Sequence, residues 1–166
     1  MDLRKAVRDP WVWGQAVLLL AVGLWAPLGP RFVSLGGLDP QFNRLDPLRT
    51  RWWGVPLAAC GIALAVWAAR TLGPALTPGT EPLPGAPLAQ QGPYRHVRHP
   101  IYAGIVLALT GWTLGWANWT LAGVVWLVAT AYFEGKARAE ERWLVARYPE
   151  YAEYARWVRR RVMWQG

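Results

Sequence analysis

Arginine, histidine and tyrosine crowd one stretch of the chain, Gly92-Pro93-Tyr94-Arg95-His96-Val97-Arg98-His99-Pro100-Ile101-Tyr102-Ala103-Gly104. Pro100 suits the first turn of a helix, where its missing N–H costs nothing. A helix starting there presents free N–H groups and a partial positive charge, a place able to hold a carboxylate or another anion. A basic membrane flank with an aromatic anchor is the plainer reading of the same residues. His96 and His99 are three apart, but a metal would need further ligands, and no Asp, Glu or Cys lies close in sequence. A second group is Lys136-Ala137-Arg138-Ala139-Glu140-Glu141. Lys136 and Glu140 are four apart and share a helix face. Two adjacent carboxylates at a membrane boundary can bind an ammonium group, while ordinary ion pairs on a solvated helix are the plainer alternative.

The elements that position these groups read as membrane spans. Apolar residues make up 54% of the chain and charged residues 17%, against roughly 25% charged in soluble domains, and the deficit is concentrated in long charge-free stretches. Tryptophan favours the membrane–water boundary, and Trp11, Trp13, Trp52, Trp53, Trp116 and Trp119 fall near the ends of those stretches. The net charge of +8 flanks apolar spans instead of forming one stripe, so it points to membrane lipid and not to nucleic acid. Cys60 lies in an apolar segment, without a disulfide partner or zinc spacing, and reads as a buried packing residue. The basic start, Met1 to Asp9, precedes a run with no clear cleavage site and is expected to lead into a retained first span.

Span one is expected from about Trp11 to Leu28 and span two from about Trp52 to Leu72, with a loop rich in Gly, Pro and Arg between them. Pro74, Pro78, Pro82, Pro84 and Pro87 exclude a regular helix in the next loop. Ile101 to Phe133 carries no charge over 33 residues. As one helix this would measure about 50 Å, against a hydrocarbon core of about 30 Å. It should therefore fold back at Gly115-Trp116-Ala117-Asn118 into two short spans, 101–115 and 119–133. Gly104, Gly111 and Gly123 would let helices approach closely. Glu134 to Arg161 is charged with helical periodicity, broken at Pro149, and reads as two short amphipathic helices on the membrane surface or capping the bundle. The fold class is thus all-α integral membrane with about four transmembrane helices. Four spans put both termini on one side, and the positive-inside rule makes that side cytoplasmic. The four arginines of the first loop run against the rule.

Taken in order, G-P-Y-x-x-x-R-H-P-x-Y-x-G, a short uncharged hairpin, E-E, and Y-P-E-Y-x-x-Y resemble the isoprenylcysteine carboxyl methyltransferase family, which belongs with the phospholipid methyltransferases. The resemblance covers about residues 86–161; residues 1–72, the two N-terminal spans, match only in kind, and the whole of 1–166 reads as a single membrane-embedded methyltransferase domain. It implies an enzyme that uses S-adenosylmethionine to methylate a lipidic or small amphiphilic acceptor. It implies a cofactor site formed by Tyr94, His99, Pro100, Ile101 and Tyr102, with a weaker match at Ala86 to Ala89, and with Glu141 helping to hold the cofactor's charged end. Glu140 would lie on the methyl-transfer side, with Lys136 and Arg138 nearby. The prenylcysteine enzymes carry Arg where Lys136 stands, and Lys cannot make Arg's bidentate contact with a carboxylate. An anionic acceptor would be drawn to Lys136 while Glu140 fixes the lysine. An amine acceptor would need a base, for which His99 and Glu140 are both available. Membrane reductases of the sterol-reductase type share R-H-P-x-Y and bind a nicotinamide cofactor, but usually have Asn after the Pro and an acidic residue after the Gly, where this chain has Ile101 and Ile105. A non-catalytic scaffold is the third class. The acceptor's identity and the oligomeric state stay open.

Overall fold

The computed structural model describes residues 8–28, 47–116 and 119–163, and of residues 47–50 the backbone alone. Helix α1 spans Pro10–Leu28, α2 Pro47–Leu72, α3 Pro100–Trp116, α4 Trp119–Arg147 and α5 Tyr151–Trp157, with short 3-10 turns at Gly73–Ala75 and Gly92–Arg95. The start before Arg8, the arginine-bearing first loop up to residue 46, and Ala117 and Asn118 of the expected turn lie outside the described residues. Proline begins three of the helices, at Pro10, Pro47 and Pro100, where no intrahelical donor is needed. Asp9 also caps α1, its Oδ1 accepting from the Trp11 N–H at 2.9 Å.

By length and composition, Pro10–Pro27 and Arg51–Ala75 can cross a membrane, and Pro100–Trp116 is a shorter apolar helix. Their outward faces are apolar: Val17, Leu20, Leu24, Val55, Ile62 and Trp67 are all exposed. A protein in water would bury such residues, whereas lipid solvates them. Cys60 is exposed on α2, which corrects the expected packing role: it sits on an outward face and not on the one that meets α3.

Helix α3 is central. Ala103, Val106 and Leu109 join Val22 of α1, Val125, Ala129, Phe133 and Ala137 of α4 and Val162 of the tail in one core. The closest helix contact is α2 against α3. A Cβ on Gly104 would stand 2.6 Å from the Gly61 carbonyl oxygen and 2.7 Å from the Ala65 nitrogen. Gly111 meets the backbone of Ala58 and Gly54 in the same way. Gly104 and Gly111, expected to let helices approach closely, do so by bringing α3 onto α2. Gly123 has open space where its side chain would be, so its expected role in close approach is corrected.

The third correction concerns α4. It runs unbroken for 29 residues, about 43 Å, joining the expected span 119–133 to the first charged segment. The change from apolar to charged at Phe133-Glu134 alters what solvates the helix, not its backbone: no Pro lies there, and the helix continues through Gly135. The break comes at Pro149, as expected, and α5 follows. Tyr151, Tyr154 and Val158 pack on Leu88, Leu144 and Tyr148, so α5 caps the bundle.

Candidate functional site

Where the polar part of α4 faces the start of α3, a cavity of about 420 Å³ opens. Its apolar wall is the proline-rich segment, including Leu76, Leu83 and Leu88. Its polar wall is built from α3, α4 and α5. Tyr94, His99, Ile101, Tyr102, Lys136 and Glu140 line it, and so do Ala86 to Ala89. Most of the residues singled out from the sequence thus converge on one space. Pro100 is buried at the helix start without lining the cavity. Arg138 is exposed, away from the lining.

Glu140 and Glu141 are neighbours, but about 100° of helical turn separates their side chains. Glu140 lines the cavity and accepts from the Tyr102 hydroxyl at 2.7 Å. Glu141 lies behind His99 and outside the lining. It meets His99 Nε2 at 3.3 Å, Arg98 Nε at 3.1 Å and Arg161 Nε at 2.8 Å. His99 is 6% exposed and stands between the two carboxylates, with Nδ1 3.5 Å from Glu140. Burial opposes its charged form, but the hydrogen bonds to Glu140 and Glu141 outweigh burial and raise its pKa to about 9. Glu141 moves the other way. Burial would raise it, yet the His99 and Arg161 hydrogen bonds and the charges of His99 and Arg98 hold it down at about 2. At neutral pH the imidazole is therefore a cation with both N–H groups committed, not a free base.

The tail completes this cluster. The Arg98 and His99 N–H groups donate to the Arg160 and Arg161 carbonyls, each at 2.9 Å. Arg161 also reaches Glu134 at 3.4 Å, and Glu134 accepts from the Val162 and Met163 N–H groups at 3.3 and 3.4 Å. Residues 160–163 thereby fix the backbone that delivers His99. The sequence reading passed over Arg98, Glu134 and Arg161. The available signal was Glu134, the first charge after the uncharged stretch. Arg161 looked like one more flanking cation.

Lys136 is 1% exposed and shares the cavity-facing side of α4 with Glu140, as their spacing requires. The two are held separately. The Lys136 ammonium donates to Gln15 Oε1 at 2.6 Å and the Pro78 carbonyl at 3.0 Å and lies 5.3 Å from the centre of the Tyr102 ring. Tyr102 in turn stacks on His99 and Phe133. The proline-rich segment is tied down again by Asp9, whose Oδ2 accepts from Thr80 N and Oγ1 at 2.7 and 2.9 Å, and by the Tyr148 hydroxyl donating to the Ala86 carbonyl.

Arg98 Nε and Nη2 and the Tyr151 hydroxyl are buried without a well-formed hydrogen bond among the described residues; Nε is held as an ion pair with Glu141, and Glu141 also faces the Tyr151 hydroxyl.

A family model described as phospholipid methyltransferase matches residues 50–151, more than half of the chain and all of the lining from Leu72 to Tyr151. Among curated proteins, the cobalt-zinc-cadmium resistance protein CzcN of Cupriavidus metallidurans is 33% identical over 69 residues, which cover 42% of this chain and 32% of that protein. The alignment thus spans about a third of that relative's length. No solved structure matches the chain.

Proposed function

The chain belongs to the phospholipid methyltransferase family, and from that premise we propose that it transfers a methyl group from S-adenosylmethionine to a lipidic or small amphiphilic acceptor at the cytoplasmic boundary of a membrane. The observation that carries this reading is the cavity itself, with Glu140 fixed by Tyr102 and His99 on one wall and leucines and prolines on the other. Its volume of about 420 Å³ falls in the range of about 300–1,000 Å³ usual for small-ligand sites. The donor set fits the cofactor. A carboxylate faces the cavity to meet an ammonium, and apolar side chains offer a face to a nucleoside. When bound, S-adenosylmethionine supplies an electrophilic methyl on a sulfonium sulfur, which the acceptor's nucleophile takes by in-line displacement as the thioether leaves.

The chain's own residues bind, orient and exclude water. Glu140, rather than Glu141, presents its carboxylate to the cofactor ammonium. Glu141 positions His99 and Arg98 from behind. The segment held by Asp9, Lys136 and Tyr148 walls off the cavity. Lys136 spends two of its three N–H groups on Gln15 and Pro78, leaving one for an anionic group of the acceptor. A carboxylate or thiolate acceptor needs no base. An amine would release its proton to Glu140, since His99 already carries one. Arg138 takes no part.

Calorimetry of the detergent-purified chain with S-adenosylhomocysteine tests this reading. Wild type should bind, and Glu140→Gln should weaken binding by about 1–3 kcal/mol, the usual cost of losing a charged contact. Lys136→Ala should impair turnover while cofactor affinity stays within about threefold, roughly 0.7 kcal/mol. Binding of a reduced nicotinamide in place of S-adenosylhomocysteine would overturn methyl transfer in favour of hydride transfer. We also propose that α1, α2, α3 and the apolar part of α4 each cross the bilayer, with both termini cytoplasmic. Cysteines placed at positions 117 and 163 of a Cys60→Ser chain should then label from opposite sides, and labelling from one side would overturn the topology.

A further inference from the structure

Helix α5 turns one side inward. Tyr151, Tyr154 and Val158 pack on Leu88, Leu144 and Tyr148, and the opposite side of so short a helix faces out. Arg156 and Trp157 lie on that outer side, and Arg159 and Arg160 follow, also exposed. Trp157 is 81% exposed, the highest value of any large apolar side chain among the described residues. The segment leading into α3 runs alongside. The Tyr154 hydroxyl donates to the Tyr94 carbonyl at 2.7 Å, Arg98 Nη1 reaches the Ala155 carbonyl at 3.5 Å, and the Arg98 N–H donates to the Arg160 carbonyl at 2.9 Å. These contacts pin residues 94–98 to residues 154–160 and set Arg95, exposed as well, beside the other arginines.

The four arginines differ from their neighbours Arg98 and Arg161, which are paired with Glu141 and Glu134. Arg95, Arg156, Arg159 and Arg160 make no ion pair among the described residues. Glu153 is the single acid from Tyr151 to Arg161, and it is bound to none of them. The result is a positive surface around one bare indole ring. None of the five residues lines the cavity.

Position selects the kind of anion. Residues 160 and 161 are hydrogen-bonded to residues 98 and 99, and Pro100 begins α3, so the patch stands where an apolar helix starts. Guanidinium groups grip phosphate, whether it is free or part of a lipid. A free phosphate gives the indole nothing, whereas tryptophan settles in the headgroup zone of a bilayer. A zwitterionic headgroup brings its own cation to the phosphate, and an anionic one does not. Arginines near a membrane surface therefore favour anionic lipid.

We propose that Arg95, Arg156, Trp157, Arg159 and Arg160 form a docking surface for an anionic phospholipid headgroup, and that its occupation braces the backbone of Arg98 and His99. Arg160 carries the link: its side chain is exposed to lipid while its carbonyl holds the Arg98 N–H. This lipid is distinct from the methyl acceptor in the cavity. The proposal rests on the reading that α3 enters the bilayer at Pro100, and goes beyond the proposed activity, which gives these five residues no role.

The test titrates the full chain in detergent with dioctanoyl phosphatidylglycerol, dioctanoyl phosphatidylcholine and inorganic phosphate, reading melting temperature and amide hydrogen exchange. Phosphatidylglycerol should bind about tenfold or more tightly than phosphatidylcholine, and inorganic phosphate at the same concentration should not shift the melting temperature. Arg159→Gln with Arg160→Gln should reduce the lipid preference by about threefold or more, and Trp157→Ala should weaken phosphatidylglycerol by about threefold. Arg142→Gln with Arg147→Gln removes the same charge from exposed positions about 13 and 21 Å along α4 beyond Phe133 and should leave the preference intact. Exchange at the Arg98 and His99 amides should slow by about threefold when phosphatidylglycerol binds wild type. Equal affinity for the two lipids would overturn the surface. An equal loss in both arginine pairs would overturn it too, because net charge alone would then act, and so would a matching shift with inorganic phosphate. Unchanged exchange despite binding would overturn the bracing. If the Arg159 and Arg160 pair does not fold when changed, wild type and Trp157→Ala decide. The titration does not depend on sidedness, so a failure of the topology, read by labelling at positions 117 and 163, is distinguishable from a failure of this surface.

Discussion

The α2–α3 contact and the cluster around His99 are both closed to solvent, yet by opposite means. Along α2 and α3, closure comes from removing side chains: Gly54, Ala58, Gly61 and Ala65 meet Gly104, Ala108 and Gly111 so closely that backbone touches backbone. Around His99, closure comes from matching charges, with Glu134, Glu140 and Glu141 set against Arg98, His99 and Arg161. The first surface gains packing and has no polar group to leave unsatisfied. The second stays closed only while every partner is present. The seam should therefore be sensitive to added volume, and the cluster to the loss of a single group and to pH.

The largest effect should come from Glu141→Ala. It strips one carboxylate from Arg98, His99 and Arg161 at once, and breaking a buried pair typically costs about 3–5 kcal/mol. Thermal unfolding in detergent should show a loss of that size. A change under about 1 kcal/mol, the ceiling for exposed pairs, would mean that the cluster is solvated. Next is Gly111→Leu. Its Cβ would meet the Ala58 and Gly54 backbone, which cannot move aside as a flexible side chain can, and overpacking of this kind costs about 1–3 kcal/mol. Unchanged unfolding would show that α2 and α3 can separate freely.

A gradual effect should follow pH. The folded-state pKa of His99, about 9, lies above the ordinary value of about 6.5. Its contribution is full below about 6.5 and is lost as pH rises through about 9. Glu141, at about 2, contributes fully above its ordinary value of about 4.3 and loses that contribution as pH falls through about 2. Melting temperature in detergent should fall between about pH 6.5 and 9, and His99→Gln should flatten that slope. An equal slope in the variant would assign the titration to another group.

The two regions were not equally legible in the sequence. The cavity residues Tyr94, His99, Tyr102 and Glu140 could be found because their types and short spacings carry a family motif. The hairpin could be found because 33 uncharged residues exceed one crossing. The choice between Glu140 and Glu141 could not be read: adjacent helical residues face different ways, and only the packed α3 decides which one meets the cavity. Lys136 was read with Glu140, but its partners are Gln15 and Pro78, far away in sequence. At Phe133 the sequence shows a change in solvation, which looks the same as a change in backbone although α4 runs straight through it. Glycine spacing on α3 was visible, but the partner helix was not, since hairpin neighbours and α2 offer small residues alike.

Gly123 gives the smallest effect and the sharpest test of that last point. It shares its residue type and its apolar surroundings with Gly111, yet its missing side chain faces open space. Adding a methyl group there displaces nothing on the protein. Alanine is also the better helix former, by roughly 0.8–1 kcal/mol in water, and lipid accepts a methyl group readily. Gly123→Ala should therefore leave the melting temperature unchanged or raise it slightly, within about 1 kcal/mol. Gly111→Ala, with the same change in formula, should lower it, because the methyl meets backbone. The pair removes propensity from the comparison and leaves packing alone. If both variants behave alike, the α2–α3 seam is not held by backbone contact. If Gly123→Ala is the more damaging, something packs on that face of α4, and the open surface is an interface.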